Sequence, residues 1–315
     1  VYMIKYILKR LVMMIFVELG VAVLIFTIMY FMPGDPAEII LGSNATAEAI
    51  AAKRTQLGLD KPYFVQLGNF LWNALHGDLG QSYVNSVSVW SELKNRLPYT
   101  LIIAVTCMVL NVVIGVPLGV TAAVHKDGLA DKLCMIFAMF CISVPGFWVG
   151  LVLVIIFSVN LGWLPPYGIS DWTCFIMPCM AASLVGIGNL ARQSRSSMLD
   201  VINADYVTTA KAKGQTPFKV TYKHALSNAL IPIITVIGNR FGASLGGTIV
   251  IETVFSIPGI GMYVTTAISN RDYPVIRGSV VFLAIAFSVI MLVVDLIYAF
   301  IDPRIKAQYI SGKGR

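Results

Sequence analysis

The sequence predicts an all-α membrane protein with six transmembrane helices and both termini in the cytoplasm, and three observations carry that expectation. Composition comes first: 57% of the 315 residues are hydrophobic and 12% are charged, about half the charged share of an average soluble domain. A chain with so few polar groups lacks the surface that keeps a soluble protein in solution, so much of it is expected to face lipid. Second, six apolar runs, at residues 11–31, 99–124, 133–159, about 174–190, about 229–251 and 279–301, have or approach the roughly 20 residues that cross a bilayer core. Third, with the N-terminus placed inside, the inner segments hold fifteen Lys and Arg and the outer ones seven. An inner excess of cations is what orients such a chain. The net charge of +7 therefore reads as membrane orientation, and no nucleic-acid partner is expected.

Taken in order, Lys5, Lys9 and Arg10 precede the first run and give it the look of a signal peptide. The run exceeds the roughly 7–15 residues of such a segment, and Pro33-Gly34-Asp35-Pro36 follows with no small-residue cleavage pattern, so a retained first helix is expected. Residues 32–98 form a long external insert. Within it, 45–58 is alanine-rich and ends at Gly58, and 62–77 carries Phe64, Leu67, Phe70, Leu71 and Leu75 at helical spacing. Two short helices are expected there, forming a cap laid on the membrane helices. Residues 99–301 form the membrane core, and 302–315 a cytoplasmic tail. The fourth run is the most broken, at Gly186 and Gly188. Loops 161–173 and 252–278 lie outside, with Trp163-Leu164-Pro165-Pro166-Tyr167 as an interfacial anchor.

The five cysteines, Cys107, Cys134, Cys141, Cys174 and Cys179, are odd in number and include no C-x-x-C pair. They read as buried thiols rather than a disulfide framework or zinc site. His76, His125 and His224 have no ligand spacing, so no metal centre is expected. No G-x-x-x-x-G-K-[ST] and no H-E-x-x-H occurs. The chain is expected to bind no cofactor, to carry no catalytic residue, and not to be an enzyme.

The stretch between the fourth and fifth runs carries the most mechanism. Residues 203–214 read as a short helix, with Asn203 at the N-cap, Asp205 in the first turn, Lys211 and Lys213 in the last, and Gly214 just past the end. About ten residues give a rod of roughly 15 Å, half a bilayer. From these residues alone two readings stand: a docking element for a cytoplasmic partner, or a basic surface helix that keeps its loop inside.

The run Asp205-Tyr206-Val207-Thr208-Thr209-Ala210-Lys211-Ala212-Lys213-Gly214, with His224-Ala225-Leu226-Ser227-Asn228-Ala229-Leu230-Ile231-Pro232 after it, resembles the EAA loop of binding-protein-dependent ABC permeases, in its peptide and nickel branch. Pro33-Gly34-Asp35-Pro36-Ala37, Leu57-Gly58-Leu59-Asp60-Lys61-Pro62, Gly77-Asp78-Leu79-Gly80-Gln81-Ser82, Ser143-Val144-Pro145-Gly146-Phe147-Trp148, Arg271-Asp272-Tyr273-Pro274 and Asp302-Pro303-Arg304-Ile305 resemble the family in the same order, over nearly the whole chain. Thr208-Thr209-Ala210 stands where the general motif has Glu-Ala-Ala, and Leu226-Ser227 where it has Leu-Pro. The resemblance implies that 203–214 is the coupling helix, seated on an ATPase subunit through Asp205, Thr208, Thr209, Ala210, Lys211, Ala212, Lys213, Gly214 and His224. It also implies a second, related permease subunit, two cytoplasmic ATPases that bind ATP and Mg²⁺, and an extracytoplasmic binding protein. The chain would then sit in the bacterial inner membrane and import di- or oligopeptides, or alternatively nickel, a metal chelate or glutathione.

Gly238, Gly242 and Gly246 lie four apart in the fifth run, a smooth stripe that lets another helix approach. It faces a partner or the path, or packs within this subunit. Charges inside apolar runs cost about 3 kcal/mol on insertion scales and face a partner or a wet cavity. Glu18 and Arg240 lie at depths that differ by roughly 6 Å. They are placed to form a structural salt bridge, or Arg240 lines the path with Asn239 and attracts a substrate carboxylate. Asp295 reads as an interhelix hydrogen-bonding residue. These intramembrane charges also suit an ion-coupled secondary transporter, which would continue uptake without ATP, but no inverted repeat supports that class.

Overall fold

The computed structural model describes residues 2–42 and 44–301; the tail at 302–315, with Asp302-Pro303-Arg304-Ile305, lies outside them. The helices are α1 Tyr2–Phe31, α2 Pro36–Leu41, α3 Ala47–Leu57, α4 Tyr63–Leu75, α5 Val89–Leu110, α6 Val116–Val124, α7 Leu129–Ser143, α8 Gly146–Leu153, α9 Ile176–Val201, α10 Asp205–Ala212, α11 Leu226–Gly247, α12 Ile249–Val254, α13 Ile260–Ser269 and α14 Tyr273–Ile301. No strand occurs among the described residues; Gln81 and Ser88 form an isolated bridge. Four stretches, Ile7–Phe31, Val89–Val124, Trp172–Val201 and Tyr273–Leu296, are long and apolar enough to cross a membrane. Two bent pairs, Leu129–Ser143 with Gly146–Asn160 and Lys219–Leu230 with Pro232–Ser244, raise the number to six if each pair is one span.

The bends correct the straight runs expected at 133–159 and 229–251. Between α7 and α8 the axis turns by 95°. Pro145 follows Val144, which is extended at φ −90°, ψ 126°, because a proline ring disfavours helical backbone in the residue before it. The second pair turns by 60° at Pro232, which lies inside α11 and supplies no N–H to the helix ladder. The fourth run also differs. Gly186 and Gly188 do not break α9, which runs on to Val201, well past the expected end. Finally, the loop at 252–278 carries α13 and the end of α12.

The chain divides into two compact units, Val1–Thr100 with Pro258–Ser288, and Leu101–Ile257 with the chain from Val289 onward. In the first unit, α4 packs on α1 as its spacing suggests. Phe26 is buried, with its ring 5.6 Å from Phe70 and 5.7 Å from Tyr63. The Arg277 guanidinium lies 5.2 and 5.3 Å from the Phe26 and Phe70 ring centres. Phe64 and Leu75, expected on the same packed face, are instead more than four-fifths exposed, because α4 turns only its Phe70–Leu71–Ala74 side inward. α3 buries nothing; it is held by Arg54 Nε on Asp35 Oδ2 at 2.6 Å.

Three motif stretches far apart in sequence meet in this unit. Asp272 accepts hydrogen bonds from Ser82 Oγ and, at 3.0 Å, from the Tyr83 N–H. Burial pushes the Tyr83 phenol up from its ordinary pKa, against the pull of nearby Arg277. Gly34 sits so close to Arg271 that a Cβ would lie 2.8 Å from Nη1, and Gly80 lies against Pro274. Only glycine fits Gly34, whose φ is +122°.

In the second unit α9 is the central element. A Cβ on Gly119 of α6 would lie 2.3 Å from the Ala191 carbonyl oxygen, and one on Gly188 would lie 2.4 Å from that of Ala138 in α7. Backbones therefore touch on two sides of α9 with no side chain between them. Asp131 in the first turn of α7 takes Arg195 of α9 in a two-point pair, Nε–Oδ1 2.6 Å and Nη2–Oδ2 2.7 Å. The Asp127 N–H adds a third bond to the same carboxylate at 2.9 Å. This pair is why α9 continues past the end read from hydropathy: Arg195 is not loop but the helix's anchor.

Gly119→Val should destabilise by about 1–3 kcal/mol, since backbone must move, whereas Gly20→Ala, with nothing within 4 Å of its Cβ position, should not. Thermal unfolding of the detergent-solubilised chain measures both. Asp131→Ala should cost about 3 kcal/mol by stranding Arg195, and the same melting assay should show it recovered in part when Arg195→Ala is added.

Candidate functional site

The helix expected at 203–214 is α10, at Asp205–Ala212. Its start differs by one residue from the sequence reading: Ala204, not Asn203, is the N-cap, without a side-chain bond. The Ala204 carbonyl accepts from the Val207 and Thr208 N–H groups at 2.9 and 3.1 Å. The other end is as expected. Gly214 takes φ +70°, its N–H donates to Lys211 O at 3.0 Å and the Gln215 N–H to Ala210 O at 3.3 Å, the paired closure that glycine permits. His224 Nε2 lies 2.7 Å from Gln215 Oε1, so His224 ties the end of α10 to the π-type turn Lys219–Ala225 that leads into α11.

α10 has one anchored side and one free side. Val207 and Ala210, three apart, are buried in a cluster with Val120, Leu190, Met198 and Ile233. Asp205, Thr208, Thr209, Lys211, Ala212 and Lys213 are exposed. Thr209 Oγ1 donates back to Asp205 O at 2.8 Å, which keeps that hydroxyl on its own helix. Tyr206, Phe218 and Tyr222 are exposed as well, Phe218 by 69%, with the Phe218 and Tyr222 rings 4.6 Å apart. The sequence reading missed this aromatic pair. Its signal was two aromatics four apart in a polar loop.

The intramembrane polar residues separate by unit. In the first, Glu18 Oε1 accepts from Ser288 Oγ of α14 at 2.6 Å, and Oε2 has no partner among the described residues. In the second, Arg240 borders a cavity of about 360 Å³, with Asn111, Phe147, Gly186, Ser244 and Thr248. Asn239 is exposed and Asp295 half-buried. Along the glycine stripe, Gly238 lies against Val294 of α14, where a Cβ would come within 2.4 Å of Cγ2. Gly242 is buried, and Gly246 has nothing within 4 Å. Close packing within the chain therefore claims Gly238, and Gly246 is left open.

Gly242-Ala243-Ser244-Leu245-Gly246 has the spelling of a nucleophile elbow, but that motif needs a strand-to-helix turn. Ser244 lies inside α11, and its Oγ donates to Arg240 O at 2.8 Å. Among the described residues no group of three or more His, Cys, Asp or Glu is placed to hold a metal.

Residues 115–307 match the family described as "Binding-protein-dependent transport system inner membrane component". Residues 3–104 match its N-terminal partner, "Binding-prot-dependent transport system membrane comp, N-term". The glutathione transport system permease protein GsiC of Salmonella typhimurium is 43% identical over 304 residues, covering 96% of this chain and 99% of its own. GsiC of Escherichia coli K12 is 41% identical over the same length. Among solved structures, the inward-facing MetNI methionine ABC transporter aligns with a TM-score of 0.56 at 18% identity, over 67% of this chain and 96% of that one. An amino acid ABC transporter with histidines gives 0.51 at 13%, over 66% and 94%. At such identities the structural likenesses speak for the fold alone. Family and close relatives span the chain and account for its apolar helices: it belongs to the inner-membrane components of binding-protein-dependent transport systems, and is a multi-pass, non-catalytic permease subunit of an ABC importer.

Proposed function

We propose that the chain forms half of the path of an importer for small peptides, with glutathione the solute that its relatives favour, and that α10 is the element through which ATP hydrolysis drives it. The observation that carries this reading is the two-sided character of α10. Val207 and Ala210 fix it to the helices around α9, while its polar side and the Phe218–Tyr222 pair stand free. An exposed aromatic pair beside cations suits the core-and-rim pattern of a protein interface. The partner would be an ATPase subunit that binds ATP and Mg²⁺, two copies serving this chain and a second, related permease.

In this reading each bent pair counts as one span, which gives six spans with both termini in the cytoplasm. The cation excess of the inner segments supports that orientation. Residues 32–98 then lie outside, where a substrate-binding protein would dock. Identity of 43% to a glutathione permease across 96% of the chain supports a peptide-like solute over nickel or a metal chelate.

The test is labelled glutathione uptake by the complete transporter in proteoliposomes with internal ATP. Val207→Asp should abolish uptake by unseating α10, and Lys211→Glu should reduce it about tenfold if it removes one charge-assisted contact. A cysteine at Thr208 should cross-link to the ATPase. Uptake that persists without ATP under an ion gradient would instead place the chain among secondary transporters.

A further inference from the structure

The cavity bordered by Arg240 has a composition that the coupling role of α10 does not use. It measures about 360 Å³ and lies among α5, α8, α9, α11 and α12, large enough for a few residues' worth of solute atoms. Two polar groups converge on it from different helices. Arg240 comes from α11. Asn111 comes from the π-type turn Asn111–Gly115 that joins α5 to α6.

Asn111 is the more informative of the two. It is 8% exposed, and its Oδ1 has no hydrogen-bond partner among the described residues. A buried amide oxygen left unpaired costs about 1–3 kcal/mol, and native proteins seldom leave one without a use. Its position is enforced. Gly186 of α9 lies so close that a Cβ there would come within 2.2 Å of Asn111 Nδ2, so the carboxamide rests on bare backbone. Asn111 opens a π-type turn, a feature common at functional sites. Arg240 and Asn111 also share a second, small crevice with Gly186 and Ser244. The remaining walls, Phe147, Ala182 and Ile251 among them, are apolar.

We propose that this cavity is a solute-contact site inside the permease, in which Arg240 takes a carboxylate and the Asn111 side chain, which lines the same cavity, turns its carboxamide to an N–H of the same molecule. A cation and a carboxamide on apolar walls select a ligand that carries both an anion and an N–H donor, as peptides do. Both groups are polar residues within a lipid-spanning segment, where a functional partner is the default expectation. The assignment rests on the proposed peptide substrate and deepens it: the permease reads the peptide's terminal charge, and does not merely let it through.

Two measurements separate this proposal from the reading beneath it. The first is glutathione uptake by the complete transporter with its binding protein. The second is equilibrium binding of labelled glutathione and labelled alanyl-alanine to the permease–ATPase complex in nanodiscs without binding protein, with alanyl-alaninamide as competitor. Wild type should bind at least one of the two acids and prefer alanyl-alanine to its amide. Arg240→Gln should weaken the acids about tenfold or more, as loss of a charge-assisted bond does, and leave the amide unchanged, which erases the preference. Arg240→Lys should restore part of it. Asn111→Leu should weaken acid and amide alike. A merely structural Arg240 would shift acid and amide together. Absence of saturable binding to wild type, or an unaltered acid preference in Arg240→Gln, overturns the site. If uptake is intact in that case, the peptide-importer reading stands without it. If uptake fails while alanyl-alanine binds in an Arg240-dependent way, the site stands and glutathione is the wrong solute.

Discussion

Gly119 and Gly188 press the backbones of α6 and α7 against α9 from two sides, with Cβ positions 2.3 and 2.4 Å from opposing carbonyl oxygens. Lipid offers no hydrophobic drive between helices that are as apolar as itself, so close contact of this sort is what holds a helical membrane unit together. Asp131 and Arg195 then lock the ends of α7 and α9 with a two-point ion pair, which fixes register as well as distance. Everything of functional interest in the second unit hangs from this frame. Asn111 is set by Gly186 of α9, and α10 leaves the end of α9 after three residues and folds back against it.

The contrast with the first unit is chemical. There the joints are polar and aromatic: a buried Asp272 gathers the loop at Ser82 and Tyr83, and Arg277 stands among Phe26, Phe70 and Tyr83. Stretches 33–36, 77–82 and 271–274, distant in sequence, are there because each supplies a turn or a bond to the same knot. Their recurrence as sequence patterns has a structural cause in tight backbone approach.

Hydropathy made the membrane class legible, because length and apolarity alone decide whether a helix can cross. It did not reveal bends, since Pro145 and Pro232 change direction without interrupting the apolar run. It misplaced the end of α9, because Arg195 reads locally as a loop cation, and only its pairing with a carboxylate 64 positions away makes it helix. Gly186 and Gly188 look like interruptions in the sequence and are contacts in the fold, a distinction that depends on neighbours no local window contains. The helix α10 was legible nearly to the residue, since acid at its start, cations at its end and Gly214 beyond are local signals. Arg240 drew notice as a charge in lipid. Asn111 did not, although an amide inside 99–124 was a signal of the same kind.

The burial of Val207 and Ala210 has a mechanical meaning. The cluster that receives them also contains Val120 of α6, Leu190 and Met198 of α9 and Ile233 of α11. Packed interiors are nearly incompressible, so a thrust on this short rod cannot be absorbed as local give. In the coupling role proposed for α10, it would be shared among three longer helices at once, so that α6, α9 and α11 would take the load together.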